Sequence, residues 1–327
     1  MAQLPEDRIE PAPPFTYCGI DCFGPFVVKD GRRELKRYGL LVTCMGSRAI
    51  HLELLDDMST DVFINGLRCL IAIRGPVRVI RCDRGTNFVG AHHELKKAMN
   101  EIDEPRVRKF LAMNSCDFQM NSPYASHMGG TWERQIRTVR SVLVALLDQH
   151  GSRLDTSSLR TLLYEVMAIV NSRPLTAQNL NDAQGPEPLT PNNLITMKSK
   201  LILPPPGDFV TEVYARQRWR KVQFLANEFW SRWRKEYLSI LQCRQKWRKE
   251  QRNMMIGDIV VLKEDSVVRG QWRMARVIES IIDKDGLVRR VKILMSLYVW
   301  KASLGTYDIG ATCSQTCAVA RERSCVT

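Results

Sequence analysis

No run in this chain approaches the roughly 20 uncharged apolar residues that a membrane-spanning helix needs. Even LLYEVMAIV is interrupted by Glu165. The opening MAQLPEDRIEPAPPF has acids and prolines where a signal peptide would carry an apolar core, so secretion is not expected. Histidine is scarce, at five residues. The pairs His92–His93 and Cys313–Cys317 stand too far from other ligands to make a zinc site. The ten cysteines are scattered, several inside strand-like runs. That pattern reads as reduced thiols of an intracellular protein and excludes a disulfide frame. No internal repeat is present, which excludes a solenoid or propeller.

What remains is an ordinary globular composition with an uneven charge. Hydrophobic residues at 44% and charged residues at 25% argue against global disorder. A length of 327 residues accommodates two or three domains. The net charge of +13 is that of a chain seeking a polyanion. Most of it is local: Tyr214–Arg252 holds twelve Lys/Arg against three acids.

Along the chain, a proline-marked lead-in (1–14) opens onto FTYCGIDCFGPFVV, RYGLLVTCM and AIHLELL. Three strand-like runs with short polar joints predict an antiparallel meander. Ser59 or Thr60 can cap a helix with Phe63, Leu67, Leu70 and Ile71 on one face. PVRVIRCD follows as a buried-type strand, so a parallel crossover joins the meander and the class is α/β. Further helices are expected around His93–Met99 and Val107–Met113, with Asp117–Met120 as an edge strand. After the loop SPYASHMGG comes a long amphipathic helix, with Trp132, Ile136, Val139, Leu143 and Leu146 in one stripe. Another helix runs from about Thr156 to Val170.

The expected organisation is thus a mixed-sheet core over 15–180 and a linker or arm over 181–210. A basic helix over 211–252, a small β-barrel over 253–297 and an irregular tail over 298–327 follow. In the basic helix Val222, Leu225, Phe229, Trp233, Tyr237 and Ile240 form a stripe with bases crowding the remaining surface.

Three acids stand where solvation arguments make acids scarce. Asp21 lies between Ile20 and Cys22 inside an apolar strand, Asp83 ends a buried-type strand, and Glu133 begins the long helix after a glycine-bearing loop. Singly, each has an equally good structural explanation: an acid satisfied by amides, a strand-to-turn acid, a first-turn acid on the helix dipole with Arg137 as partner. Converging, three carboxylates require protons or divalent cations. Oxygen-only ligands favour Mg²⁺ or Mn²⁺, and two such ions suit phosphodiester displacement.

FTYCGIDCFGPF, IRCDRGTNF and SPYASHMGGTWERQIRTVR resemble the three catalytic blocks of retroelement integrases, most closely those of BEL/Pao-type retrotransposons. The likeness covers roughly residues 10–200 and continues through the basic helix into GDIVVLKED, GQWRMARVIES and DGLVRRVKI, similar to the small SH3-like domain that follows the core in that group. The resemblance implies a ribonuclease H-like fold and a D,D,E triad of Asp21, Asp83 and Glu133 as catalytic residues and ligands of two Mg²⁺ (or Mn²⁺) ions. It also implies DNA cleavage and strand transfer. The 50-residue separation of Asp83 and Glu133 is longer than in retroviral integrases, the extra length falling in Asn100–Ser115. The chain starts after the zinc-binding His/Cys module usual upstream, and its tail departs from the family pattern, so a truncated or host-captured copy is expected. Expected partners are DNA and further copies of the chain, with no membrane and no small-molecule cofactor.

For nucleic-acid contact the candidates are Asn87 (or a turn-former), His127 (or an exposed loop histidine), and Arg134, Arg137 and Arg140 (or a solvated basic face). On the basic helix they are Arg216, Arg218, Arg220, Lys221, Arg232, Arg234, Lys246, Arg248 and Lys249. Trp219, Trp230, Trp233 and Trp247 are expected mostly to pack, although bases also stack on tryptophan. Cys18 and Cys22 share a strand face and read as small core residues. Two rival functions remain: a catalytically silent, host-captured DNA-binding or scaffolding protein, and a ribonuclease H-like nuclease acting on hybrids. Nuclear residence follows from the expected substrate, with Arg216–Lys221 and Lys246–Arg252 as import signals.

Overall fold

β1 (Tyr17–Asp30), β2 (Arg33–Cys44) and β3 (Ile50–Leu55) form the antiparallel meander. The computed structural model describes residues 9–83, 101–121, 132–150, 154–176, 188–198, 218–241, 253–263, 267–295, 298–303 and 317–322. The chain divides into two compact units, the first being Met1–Asn171 with Leu194–Thr196 and Pro205–Trp230, the second Ser172–Asn193, Met197–Pro204 and Ser231–Thr327.

In the first unit, helix α1 (Thr60–Arg74) starts on Ser59, whose side chain accepts from the Val62 amide, and buries Phe63, Leu67 and Leu70 as its spacing predicts. It leads to β4 (Val79–Asp83), which pairs parallel with β1. Helix α2 (Glu104–Met113) then carries the chain to β5 (Asp117–Asn121), parallel to β4. The result is a five-stranded mixed sheet in the order β3-β2-β1-β4-β5. Helices α3 (Trp132–His150) and α4 (Thr156–Asn171) pack against β1 and β3. The α/β class expected from the strand–helix order is observed. Of the expected helices, the one at His93–Met99 lies outside the described residues.

Two local features fix the sheet. Gly39 lies opposite Phe23 in the β1–β2 register, where an added Cβ would stand 2.4 Å from the phenyl ring; only glycine leaves room for Phe23 to bury. At the β3 edge, the buried Asn171 amide mimics a neighbouring strand: its Oδ1 accepts from the Ile50 N–H and its Nδ2 donates to the Ile50 C=O, both at 2.8 Å. It pairs backbone groups that a buried edge would otherwise strand.

The second unit holds a closed barrel of β6 (Ile259–Lys263), β7 (Met274–Ile282), β8 (Val288–Met295), β9 (Tyr298–Ser303) and β10 (Cys317–Glu322). Val260, Leu262, Ala275, Val277, Val291 and Ile293 fill its interior. The expected Asp285-Gly286 joint is a tight turn, with Gly286 at φ 79° donating to the Asp283 carbonyl. β9 and β10 correct the expectation of an irregular tail over 298–327. Closure needs a partner on the free side of β8 and of β6, and those two strands supply it despite weak local periodicity.

The expected arm over 181–210 contains a short helix, α5 (Pro191–Thr196), entered through a Thr190–Asn193 capping box. The basic helix, α6, is described over Arg218–Leu241; the rest of 211–252 lies outside the described residues. Among the described residues no helix is long and apolar enough to cross a membrane.

Candidate active site

Strand alternation builds the site. Cys18, Ile20 and Cys22 of β1, with Ile80 and Cys82 of β4, enter one core cluster and so occupy one face of the sheet. Position 21 falls on the other face, and Asp21 is only partly exposed, at 16% of its side chain. The parallel register sets Cys82 beside Ile20. β4 ends on Asp83, one residue past the row that pairs Cys82 with Ile20, and Asp21 follows Ile20 on β1. Strand pairing thus brings the elements that bear the two aspartates, 62 residues apart in sequence, side by side.

Helix α3 approaches from that face. Val139, Val142, Leu143 and Leu146 are fully or nearly buried, and Arg140, beside them, reaches β1: its Nη1 donates to Asp21 Oδ2 at 3.0 Å. Glu133 precedes Arg140 by seven residues, about 10 Å along the helix axis. The elements that bear the three expected acids, β1, β4 and α3, are thus neighbours in the first unit. The side chains of Asp83, Glu133 and Arg134 are outside the described set, as are Asn87 and His127 altogether. Among the described side chains, no group of three or more His, Cys, Asp or Glu stands close enough to hold a metal ion.

The cysteines that flank Asp21 on β1 belong to the core. Burial pushes the Cys22 thiol well up, with the charges of Cys82 and Asp21 adding to it. The Cys18 thiol rises in the same way, by burial first and then by Cys44 and Cys116. Both stay protonated at neutral pH, which fits core packing and leaves soft-metal ligation without a thiolate.

Residues 217–304 match a family model described only as a family of unknown function, DUF5641. No curated protein matches the chain. Among solved structures the chain is similar to the catalytic core domain of BIV integrase, with 14% identity and a TM-score of 0.35 over 56% of this chain and 95% of that one. The matched segment runs from α6 to β9.

The basic residues of α6 do not behave alike. Arg218 is exposed and pairs with Asp155 at 3.0 Å. The Arg220 guanidinium lies 5.5 Å over the Trp219 ring. Arg232 and Lys221 are half-buried. Arg234 corrects an expectation: it is buried, and its Nη2 donates to the Leu262 carbonyl of β6 at 3.0 Å. It holds the helix to the barrel within the second unit and presents nothing to a phosphate. Arg234→Ala should lower the stability of that unit by about 2 kcal/mol, the cost of a charged buried hydrogen bond. DNA affinity should stay unchanged; a parallel loss of affinity with an intact melting curve would restore Arg234 as a contact. Trp230 and Trp233 pack as expected, Trp233 stacking on Tyr237 at 5.2 Å and meeting Trp272 edge-on at 5.8 Å. Trp219 is half-exposed. Arg216, Lys246, Trp247, Arg248 and Lys249 lie outside the described residues.

A buried polar cluster escaped the sequence reading. His51 and Glu53 of β3 are 1% and 6% exposed. The Arg74 Nε donates to His51 Nδ1 at 3.3 Å, His51 Nε2 lies 3.3 Å from Glu53 Oε1, and the Tyr164 hydroxyl donates to the same oxygen at 3.4 Å. Glu53 in AIHLELL carried the same signal as Asp21, an acid in an apolar strand. Its partners come from α1 and α4, so the cluster ties those helices to the sheet.

Proposed function

We propose that the chain is an integrase-type polynucleotidyl transferase of the BEL/Pao kind, with Asp21, Asp83 and Glu133 as its triad. One observation supports the reading: β1, which bears Asp21, pairs parallel with β4, whose last residue is Asp83, while α3, which bears Glu133, is joined to Asp21 through Arg140. The three sequence blocks supply the family expectation, and a ribonuclease H-like core accommodates the mixed sheet and its helices. The triad would hold two Mg²⁺ or Mn²⁺ ions, which supply activation of the attacking oxygen and stabilisation of the leaving one.

The chain's own residues then position and neutralise. Asp21 and Asp83 sit on rigid paired strands, which fixes their spacing more tightly than a loop does. Arg137, exposed on α3, and the outward bases of α6 meet the DNA backbone. The helix with its barrel, SH3-like in this reading, acts as the DNA-binding and assembly module, and the protein works as a homo-oligomer in the nucleus.

The test is one substrate panel offered to purified protein with Mg²⁺ or Mn²⁺: labelled DNA ends and RNA–DNA hybrids, each with wild type and Asp83→Asn. Trimmed or joined DNA ends, absent in the mutant, support the proposal. DNA binding with no products in either protein assigns a silent DNA-binding protein, and hybrid cleavage alone assigns a ribonuclease H-like nuclease.

A further inference from the structure

The β1–β2 hairpin is longer than the sheet it belongs to. β4 pairs with β1 only over Tyr17–Ile20, and β3 pairs with β2 only over Tyr38–Thr43. Past a register shift between Phe23 and Phe26, the rows from Phe26–Arg37 to Asp30–Arg33 join β1 to β2 alone among the described residues. They make a two-stranded ribbon about 14 Å long. A two-residue turn with Gly31 at φ 61° closes it.

One face of the ribbon is anchored and the other is open. Phe26 and Val28 are buried. The Lys29 N–H donates to the Leu154 carbonyl at 2.9 Å, and Arg37 Nε donates to Thr156 Oγ1 at 3.3 Å. Between those two anchors, Asp155 pairs with Arg218, the first residue of α6. Three consecutive residues of the first unit therefore fasten the ribbon and the start of the basic helix to one spot. On the opposite face Val27, Lys29 and Lys36 are exposed, as are Arg32 and Arg33 at the tip.

Residues 29–36 hold four bases and two acids. The acids, Asp30 and Glu34, stand opposite Arg33 and Lys29 in the register without closing an ion pair to either among the described residues. Val27 is the one large apolar side chain the ribbon exposes, too little apolar surface to seat a protein partner. Cations held on a rigid backbone suit a row of phosphates instead.

We propose that the tip of this ribbon is a second nucleic-acid contact, setting Lys29, Arg32 and Arg33 on phosphates of the same DNA duplex that the start of α6 meets. The inference rests on the reading of α6 as a DNA-binding helix and deepens it by adding a surface from the mixed-sheet core. The ribbon is held to Leu154 and Thr156 before DNA arrives, so little ordering entropy is lost on contact. Its bases meet the backbone and not base edges, so they add affinity and salt dependence without sequence preference.

The experiment is fluorescence anisotropy of a labelled DNA duplex with the full chain at several salt concentrations. Wild type is compared with the double variant Arg32→Gln/Arg33→Gln and with a charge-matched control, Arg68→Gln/Lys109→Gln, exposed on α1 and α2. The ribbon variant should bind about tenfold more weakly at about 0.1 M salt, with a log–log salt slope shallower by about two. The control should stay within about twofold of wild type. A ribbon variant that binds as wild type does, or a control that loses as much, overturns the proposal. Wild type that binds no DNA removes instead the reading of α6 beneath it. A second measurement needs no substitution: saturating DNA should slow acetylation of the Lys29 amine, read by mass spectrometry. Equal acetylation with and without bound DNA contradicts the contact.

Discussion

Asp83→Asn should lose DNA end trimming and joining by about 10³-fold or more, with DNA affinity held within about twofold. The substitution keeps the shape of the side chain at the end of β4 and leaves the backbone pairing with β1 and β5 intact. It removes one anionic oxygen from the site that, in the proposed reading, holds two dications. Several kcal/mol of transition-state stabilisation would pass through those ions, and each 1.4 kcal/mol is a factor of ten in rate. In the same reading affinity for DNA comes from cationic side chains on other elements, so it should not follow the rate. Measured on labelled DNA ends with Mg²⁺ or Mn²⁺, product formation in Asp83→Asn within about tenfold of wild type would remove Asp83 from the chemistry.

DNA affinity should fall about 10³-fold between about 50 and 200 mM salt, with little dependence on sequence. Twelve bases and three acids lie in Tyr214–Arg252. Arg234 is withdrawn by burial and Arg218 by its pair with Asp155, and the proposed reading assigns about six of the others to phosphate. Each phosphate neutralised releases condensed counterions, so six contacts already give a drop of that size. A fluorescence titration at four or five salt concentrations reads the slope directly. A flat dependence would assign the basic helix to protein packing and leave the DNA-binding role without a surface.

Much of the fold was legible because its signals are local. The meander follows from three apolar runs joined by short polar turns, and β4 from a valine- and isoleucine-rich run closed by Asp83. The α1 start at Ser59 and the turn at Gly286 are set by capping and φ > 0 chemistry that a few residues determine. Partner choice was not legible. Asp21 and Glu53 are each acids inside apolar strands. Only tertiary pairing separates them, sending Glu53 into a closed cluster with His51 and Tyr164 while Asp21 meets Arg140 beside the Asp83 row. Arg234 likewise looked like its neighbours on α6, since helical spacing says which face a residue occupies but not that a barrel carbonyl waits there. β9 and β10 carried too little alternation to read, and they form because the barrel has edges to close. The proposed triad comes from the resemblance of the three blocks; the pairing of β1 with β4, which bear two of its acids 62 residues apart, is a tertiary fact that no local pattern encodes.

The proposed convergence of Asp21, Asp83 and Glu133 on a pair of cations is tested most directly by anomalous diffraction from crystals soaked in Mn²⁺. The account predicts two anomalous peaks about 3.5–4 Å apart, ligated by all three carboxylates. Peaks elsewhere, or any one of the three acids out of reach of the other two in the soaked crystal, would contradict it.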